Sequence, residues 1–222
     1  MLILLPPSEG KNQADGSEKL SLERLLFPSE LRALRTEAIN SYNPSLFDEV
    51  ASPAIEVYSG VLYQALDWQS LSESAKKQAN DQVIIISALY GVLAPLDPIV
   101  SYSAKIRTST WKSELTRILD AIKTDLIVDC RSSTYAGVWQ PAPQKRVAVR
   151  VFQEKNGKRS VITHMSKKYR GELTKLLLET RAPKTPDELL AVASKKYEAQ
   201  LQPASATQPW YLDLIIKEVS SL

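Results

Sequence analysis

The chain has 222 residues, of which 44% are hydrophobic and 24% are charged, and its formal net charge at pH 7 is +3. This composition is that of an ordinary globular protein and excludes a fibrous or largely disordered chain, and the length predicts one domain spanning residues 1–222. One cysteine and one histidine exclude an internal disulfide and leave too few ligands for a structural zinc site, so we expect no metal and no other cofactor, although an all-carboxylate Mg²⁺ site stays open.

The N-terminal residues predict a strand followed by a polar loop. The apolar run 1–5 is too short for a signal peptide or a membrane span, so we expect a cytoplasmic protein without a membrane partner, and we expect a monomer. Pro6 and Pro7 end the strand, which covers residues 2–5. The loop 8–11 (SEGK) then offers a hydroxyl, a flexible backbone and a cation, which suits an anion, although a solvated turn explains the same residues.

The next segments are predicted to be helical. Apolar spacing at residues 22–26 predicts a short helix, and Ser29 is the expected cap of a second. Residues 54–66 (AIEVYSGVLYQAL) predict another helix, in which Gly60 marks a turn or a close backbone approach. A polar helix is expected at residues 72–80.

The clearest strand lies at residues 83–86 (VIII), where polar alternation is lost, as expected for a strand covered on both faces. It is followed by a polar loop that contains Ser87, Tyr90 and Asp97. Ligands of α/β proteins gather beyond the carboxyl ends of parallel strands, so this loop predicts a site. The alternating segment 99–107 predicts an edge strand or an extended wall of that site.

A third strand is predicted at residues 125–129, after a helix capped by Thr110. Strand, helix and strand at this spacing favour a parallel pair with a right-handed crossover. The expected fold is therefore a mixed α/β domain with a central, partly parallel sheet flanked by helices. The polar segment 130–135 follows the third strand as Ser87 follows the second, so both should open on the same edge of the sheet.

The last third of the chain predicts a hairpin and three helices. Strands at 147–153 and 159–165 flank Asn156-Gly157, a strong two-residue turn signal. Ser166 is the expected cap of a basic helix, Pro186 opens a short helix, and Pro209 opens a last one.

Basic residues are concentrated in the same third. Residues 145–196 hold 14 of the 28 Lys and Arg residues against 5 acidic ones. Such an asymmetry suggests a polyanionic partner, although a solvated basic face explains it equally well. Cations at a helix start are well placed for phosphates, because backbone N–H groups and side-chain charge act together. The candidate DNA-binding residues, which line one cleft if the strand ends converge, are Lys11, Lys105, Arg107, Arg131, Lys167, Lys168 and Arg170.

An enzyme or ligand pocket is the alternative. Ser8 with Lys11, or Ser87 and Ser132 near the two aspartates that follow strands, would supply nucleophile and base candidates, and tyrosines at strand ends would stack on a base. The candidate pocket residues are Ser8, Ser87, Tyr90, Asp97, Tyr102, Asp129 and Tyr135.

The single histidine and the single cysteine can each have a structural role instead of a functional one. His164 lies on a predicted strand without a visible partner, which favours a structural role. Cys130 beside Arg131 invites a peroxide-sensor hypothesis, but a cysteine at a strand end is more often a small buried hydrophobe.

Residues 87–97 (SALYGVLAPLD) with Tyr102 resemble a motif of the YaaA peroxide-stress protein family. Further matches to that family occur in order at 2–11 (LILLPPSEGK), 57–60 (VYSG), 156–158 (NGK) and 166–171 (SKKYRG).

The resemblance implies a cytoplasmic protein that protects cells against hydrogen peroxide. It also implies a family-specific fold and a positively charged cleft that binds double-stranded DNA, with a helix-hairpin-helix-like element for which residues 54–80 are the candidate. The leading hypothesis is therefore a DNA-binding stress protein. The alternative is an enzyme acting on a nucleotide, a nucleic-acid base or a small anionic metabolite, and such an anion is the second candidate partner.

Overall fold

A mostly parallel sheet lies at the centre of the structure, a computed structural model that describes residues 1–155, 158–162 and 165–217. In chain order the strands are β1 (Leu2–Leu5), β2 (Ser52–Pro53), β3 (Val83–Ser87), β4 (Gly91–Leu93), β5 (Pro98–Ile99), β6 (Ile127–Asp129), β7 (Arg146–Lys155), β8 (Lys158–Val161), β9 (Glu198–Gln202) and β10 (Trp210–Lys217). The helices are α1 (Pro28–Tyr42), α2 (Ala54–Val57), α3 (Val61–Leu66), α4 (Glu73–Gln82), α5 (Thr108–Asp120), α6 (Ser133–Ala136), α7 (Ser166–Leu178) and α8 (Pro186–Ala193).

The strand order of the main sheet is β4-β3-β1-β6-β7-β10-β9, and β8 pairs with β7. The pairs of β1 with β3 and with β6, and of β7 with β6 and with β10, are parallel. Leu4 lies beside Ile84 on one side and beside Asp129 on the other. The carboxyl ends of β1, β3 and β6 therefore open on one edge, as the sequence predicted.

Both faces of the sheet are covered by helices. Alternate residues of β3 belong to different hydrophobic clusters: Val83 and Ile85 pack with α3 and α7, whereas Ile84 and Ile86 pack with α1 and α5. This double burial explains the uninterrupted apolar run of β3. Helix α7 approaches α3 so closely that a Cβ added at Gly171 would lie 2.1 Å from the Leu62 carbonyl oxygen.

The prediction of a C-terminal helix after Pro209 is wrong. Residues 210–217 form β10, which pairs in parallel with β7 over eight residues and in antiparallel with β9, a strand that the sequence analysis missed. Residues 212–215 are all buried, as in a strand that is covered on both faces, so the segment lacks polar alternation and helical spacing also fitted it. Pairing with the distant strand β7 makes residues 210–217 a strand and not a helix.

Several element boundaries also differ from prediction. Helix α1 begins at Pro28, with Phe27 rather than Ser29 as its cap residue, and α5 begins at Thr108 rather than after Thr110. The helix predicted at 54–66 is divided into α2 and α3, and the segment 22–26 contains only a short 3₁₀ turn.

Other predictions near the sheet are confirmed or fall outside the described residues. Ser72 caps α4, and Thr185 caps α8, whose first residue is Pro186. Strands β7 and β8 pair in antiparallel, while the Asn156-Gly157 turn between them lies outside the described residues, as does His164. Within the part of the chain that the structure describes, no helix is long and apolar enough to cross a membrane.

Candidate functional site

The loop that follows β1 is held firmly against the segment between α2 and α3. Ser8 Oγ accepts a hydrogen bond from the Gly60 amide at 2.7 Å, and a Cβ added at Gly60 would lie only 2.3 Å from that oxygen. The Asn12 amide donates to the Val57 carbonyl at 2.8 Å. Hydrogen bonds therefore anchor residues 8–12 to the segment between α2 and α3, while Glu9, Gly10 and Asn12 remain exposed to solvent. Only glycine at position 60 permits this contact.

Three buried hydroxyl groups form a connected cluster at the carboxyl end of β3. The hydroxyl oxygens of Ser87 and Tyr102 lie 2.8 Å apart, and those of Tyr102 and Tyr58 lie 2.9 Å apart. The amides of Leu89 and Tyr90 donate to Ser87 Oγ at 3.3 and 3.0 Å. The cluster joins the loop after β3 to α2 and to the extended segment after β5.

Lys11 lies over this cluster with its ammonium group among aromatic rings. Lys11 Nζ is 4.4 Å from the centroid of the Tyr102 ring and 5.8 Å from that of Tyr58, a cation–π arrangement. Burial lowers the pKa of Lys11, and the nearby Glu9 charge opposes that shift. The only polar contact of Lys11 Nζ among the described residues is the Glu9 carbonyl at 3.5 Å, so no carboxylate pairs with it there.

The buried tyrosines near Lys11 are hydrogen-bonding groups and not bases. Burial raises the pKa of Tyr58, of Tyr63 and of Tyr102, so each hydroxyl keeps its proton at neutral pH. Tyr63 was missed in the sequence analysis, and its hydroxyl donates to the Pro6 carbonyl at 2.8 Å. It anchors the loop after β1 from the side of α3.

Asp129 at the end of β6 is committed to a buried ion pair. Arg131 Nε and Nη2 donate to its two carboxylate oxygens at 2.8 Å each, and Arg146 Nε donates at 2.8 Å. Burial opposes ionisation of Asp129, but the hydrogen bonds and charge of Arg131, with the charge of Arg146, hold its pKa below the usual value. The Arg131 side chain is 0% exposed, so the structure does not present this predicted DNA-binding cation to the surface.

Asp97 and Tyr90 also lie in the interior. Asp97 Oδ2 accepts from the Leu26 amide at 2.7 Å and from the Ala94 amide at 3.1 Å, and burial raises its pKa to about 6. Tyr90 is fully buried, and its hydroxyl contacts the backbone of Val100 at 3.3 Å. These two predicted pocket residues hold the loop after β3 in place, and the Tyr90 ring is not available for stacking.

The sequence analysis missed Arg35, which supports the same loop. Its guanidinium is fully buried and donates to the carbonyls of Tyr90 and Val92 at 3.0 and 2.8 Å. A signal for it existed, because Arg35 stands four residues from Leu31 and from Ile39 on the apolar stripe of α1. A charged residue on such a stripe indicates a buried, structurally committed group.

Tyr135 and the segment 105–108 line the other side of the strand edge. Tyr135 is half-buried, and burial with the nearby Glu9 charge raises its pKa. Lys105 and Arg107 are exposed and line a cavity of about 360 Å³ between α1, α5 and the loop after β3. Apart from Ile99, the last residue of β5, segment 99–107 is therefore an extended wall, which agrees with the second of the two sequence predictions.

The first turn of α7 supplies the remaining candidate cations. Lys167 and Lys168 are exposed, and Lys168 Nζ lies 3.8 Å from Glu172. Arg170 is half-buried, and its Nη2 donates to the Val149 carbonyl at 3.1 Å, one residue beyond the end of the β6–β7 pairing. The Nε of Arg170 is buried without a hydrogen-bond partner. Helix α7 thus brings cations to the carboxyl edge of the sheet.

Cys130 has the character of a small buried hydrophobe. It is fully buried, and its burial raises the pKa of its thiol to about 12. A thiol that stays protonated reacts slowly with peroxide, so the structure favours the structural reading over the sensor hypothesis. Within the described residues, no three His, Cys, Asp or Glu side chains are grouped to bind a metal.

Residues 54–80 contain the short helices α2 and α3 and the first eight residues of α4, and Gly60 serves the contact with Ser8. The turn at Gly60 therefore gives no support to a helix-hairpin-helix element in this segment.

Comparison with known proteins gives consistent matches along most of the chain. Residues 1–202 match the protein family described as peroxide stress protein YaaA. A UPF0246 protein of Streptomyces coelicolor is 30% identical over 99% of this chain and 100% of its own length. UPF0246 proteins of Corynebacterium glutamicum and Roseobacter denitrificans are 32% and 28% identical, over 87% and 86% of this chain and 91% and 82% of their own lengths.

Proposed function

Since the chain belongs to the peroxide stress protein YaaA family, we propose that it acts in the peroxide response by binding double-stranded DNA through a basic rim at the carboxyl edge of its sheet. The basic rim consists of Lys105, Arg107, Lys167 and Lys168. Lys11 and Arg170 lie deeper at the same edge, and Arg131 belongs to the buried ion pair. We place this activity in the cytoplasm and in a monomer.

The observation that carries the proposal is the state of the rim cations. Lys105, Arg107 and Lys167 are exposed, and among the described residues no carboxylate lies within salt-bridge distance of them. Helix α7 has no side-chain cap and no acidic residue in its first turn. The positive end of its dipole therefore attracts anions at the place where Lys167 and Lys168 stand, which suits a DNA phosphate.

Part of the positive charge in residues 145–196 is paired with carboxylates. Five of its cations form pairs with carboxylates at 2.6–2.9 Å, namely Arg146, Arg150, Arg159, Lys175 and Lys196. Other exposed cations of this region are spread over separate elements, whereas Lys167 and Lys168 stand side by side in the first turn of α7. Specific residues there, and not the overall charge excess, should control DNA affinity.

Catalysis by the predicted carboxylate bases is not supported by their surroundings. Asp97 and Asp129 are engaged in buried hydrogen bonds and ion pairs, and Ser8 accepts from the Gly60 amide with no base beside it among the described residues. Binding therefore explains the strand edge better than acid–base chemistry does.

The test is a salt series of duplex-DNA affinity by fluorescence anisotropy. Lys167→Glu/Lys168→Glu should lose affinity and reduce the slope of log K against log salt by roughly 2, since each phosphate contact contributes about 0.9. The matched control is Lys77→Glu/Lys123→Glu, which reverses two exposed lysines on α4 and after α5, elements that lead into the amino ends of β3 and β6.

The control should bind DNA much more tightly than the rim variant. Equal affinity and equal slope in the rim variant and the wild type would refute the rim assignment. An equal loss in both variants would show that only net charge matters. Arg170 is left unchanged because its hydrogen bond to Val149 supports the fold.

A further inference from the structure

The cavity between α1, α5 and the loop after β3 places an aromatic side chain beside two cations of the basic rim. Its volume is about 360 Å³, and Tyr42, Lys105 and Arg107 line it. This volume lies within the range of about 300–1,000 Å³ that is typical of sites for organic ligands, and it is much larger than one phosphate group needs. Contact between the rim and duplex phosphates therefore leaves the interior of the cavity unexplained.

Tyr42, the last residue of α1, is an aromatic residue that the fold leaves partly uncovered. It is 41% exposed, and its hydroxyl accepts a hydrogen bond from the Ser103 amide at 2.9 Å. This bond ties the ring to the extended segment that leads to Lys105. A ring that is already held in place loses little conformational freedom when a flat ligand stacks on it. Nucleic-acid bases are ligands of this kind, because every base has an aromatic face.

The charges around the cavity suit the phosphate group of a nucleotide. Lys105 and Arg107 are exposed and have no carboxylate partner among the described residues. Helix α5 begins directly after Arg107 and has no acidic residue in its first turn, so the positive end of its dipole adds to the attraction for an anion. Glu37 lines the cavity from α1, where its carboxylate can accept a hydrogen bond from the amino group of a base. The cavity therefore offers cations near α5, and a ring with an acceptor on α1.

We propose that this cavity binds one nucleotide unit, with the base stacked on Tyr42 and the phosphate on Lys105 and Arg107. The unit is a free nucleotide or an unpaired nucleotide at the end of a DNA strand, since both carry the same base and phosphate. A paired base exposes only its edges in the grooves, so the interior of a duplex cannot supply the stacked base. For the DNA strand the inference rests on the proposed DNA binding, because Lys105 and Arg107 belong to the basic rim.

Free dAMP tests the cavity without a duplex. Titrated into the full chain by isothermal titration calorimetry at pH 7, it should show saturable one-site binding. Tyr42→Ala should weaken this binding roughly fivefold or more, because the base loses its stacking partner, and Tyr42→Phe, which keeps the ring, should restore it. Lys105→Met/Arg107→Met should weaken it roughly tenfold or more, because the phosphate loses two charged partners.

Two pairs of substitutions localise the binding of dAMP. Lys77→Met/Lys123→Met removes two exposed lysines of other surfaces and should bind dAMP as the wild type does. Lys167→Glu/Lys168→Glu, the rim variant at α7, should also retain dAMP while it loses duplex DNA. A loss of dAMP in this rim variant would place the nucleotide at α7 and overturn the proposal.

Two duplexes distinguish the two sources of the nucleotide. One is blunt and the other carries a short unpaired overhang, and fluorescence anisotropy gives the ratio of their affinities. An overhang nucleotide that enters the cavity should make its duplex bind roughly fivefold or more tightly than the blunt one, and Tyr42→Ala should bring the ratio close to one. Equal affinity for both duplexes, together with dAMP binding, would assign the cavity to a free nucleotide.

The proposal is overturned if the wild type neither binds dAMP nor prefers the overhang. It is also overturned if the affinity for dAMP or the preference for the overhang is unchanged in Tyr42→Ala. Failure of the proposed DNA binding has a different signature, because the rim variant would then bind the blunt duplex as the wild type does. That outcome leaves the result with dAMP standing.

Discussion

Replacing Asp129 by asparagine separates a structural carboxylate from a catalytic one. The substitution keeps the shape of the side chain but removes its charge and one acceptor oxygen. Arg131 then stays in the interior, 0% exposed, without the countercharge that holds it at 2.8 Å. Removing one partner of a buried ion pair leaves the other charge uncompensated, which costs about 3–5 kcal/mol of unfolding free energy.

The structure places the expected loss near the lower end of that range. The Arg146 side chain is 17% exposed and gains hydration when Asp129 is gone, while Arg131 keeps its hydrogen bond to the Trp139 carbonyl at 2.9 Å. We therefore expect a loss of about 3 kcal/mol. For a chain of this size that loss lowers Tm by roughly 6–12 °C.

The assay is urea unfolding at pH 7, followed by tryptophan fluorescence and far-ultraviolet circular dichroism. Asp48→Asn is the control, because Asp48 pairs with Lys19 on the surface and its loss should leave the midpoint unchanged. Asp129→Asn/Arg131→Met should be less destabilised than the sum of the single variants, since the pair is lost as a unit. An Asp129→Asn protein that unfolds like the wild type would refute the ion-pair account.

Two further predictions concern other buried groups. Burial raises the pKa of Asp97 to about 6. Between about pH 4 and pH 6 the folded protein therefore keeps a proton that the unfolded chain releases. As pH rises through that range, this group lowers the free energy of unfolding by up to about 3 kcal/mol. The urea midpoint of Asp97→Asn, measured across that range, should lack this part of the fall with pH. The asparagine oxygen can still accept both backbone hydrogen bonds, so the fold is kept. A fall identical to that of the wild type would contradict the assignment of this pH dependence to Asp97. The buried Cys130 thiol, with its pKa raised to about 12, should resist alkylation by iodoacetamide and oxidation by peroxide in the folded protein and react readily in urea. Rapid sulfenic acid formation in the native state, detected by dimedone trapping and mass spectrometry, would restore the sensor hypothesis.

The sequence by itself determined the centre of the fold. The apolar run of β3 and the polar residues after it indicated a strand covered on both faces that opens on a functional edge, and residue 72 and Pro186 marked two helix starts. These signals are local, because backbone geometry, a side-chain cap and a hydrophobic period each depend on a few consecutive residues. The family resemblance rested on the same short segments, and the match over residues 1–202 agrees with it.

Only the tertiary structure decided what the polar groups at that edge do. Residues 210–217 fitted a helix by their spacing, and only pairing with β7 and β9 makes them a strand. The sequence predicted Asp129 as a base and Arg131 as a phosphate ligand. In the structure both are buried and form an ion pair, which Arg146, 17 residues from Asp129 along the chain, completes. The role of a charged or hydroxyl side chain depends on what covers it and on which donors reach it, and those neighbours come from distant segments that no local pattern specifies.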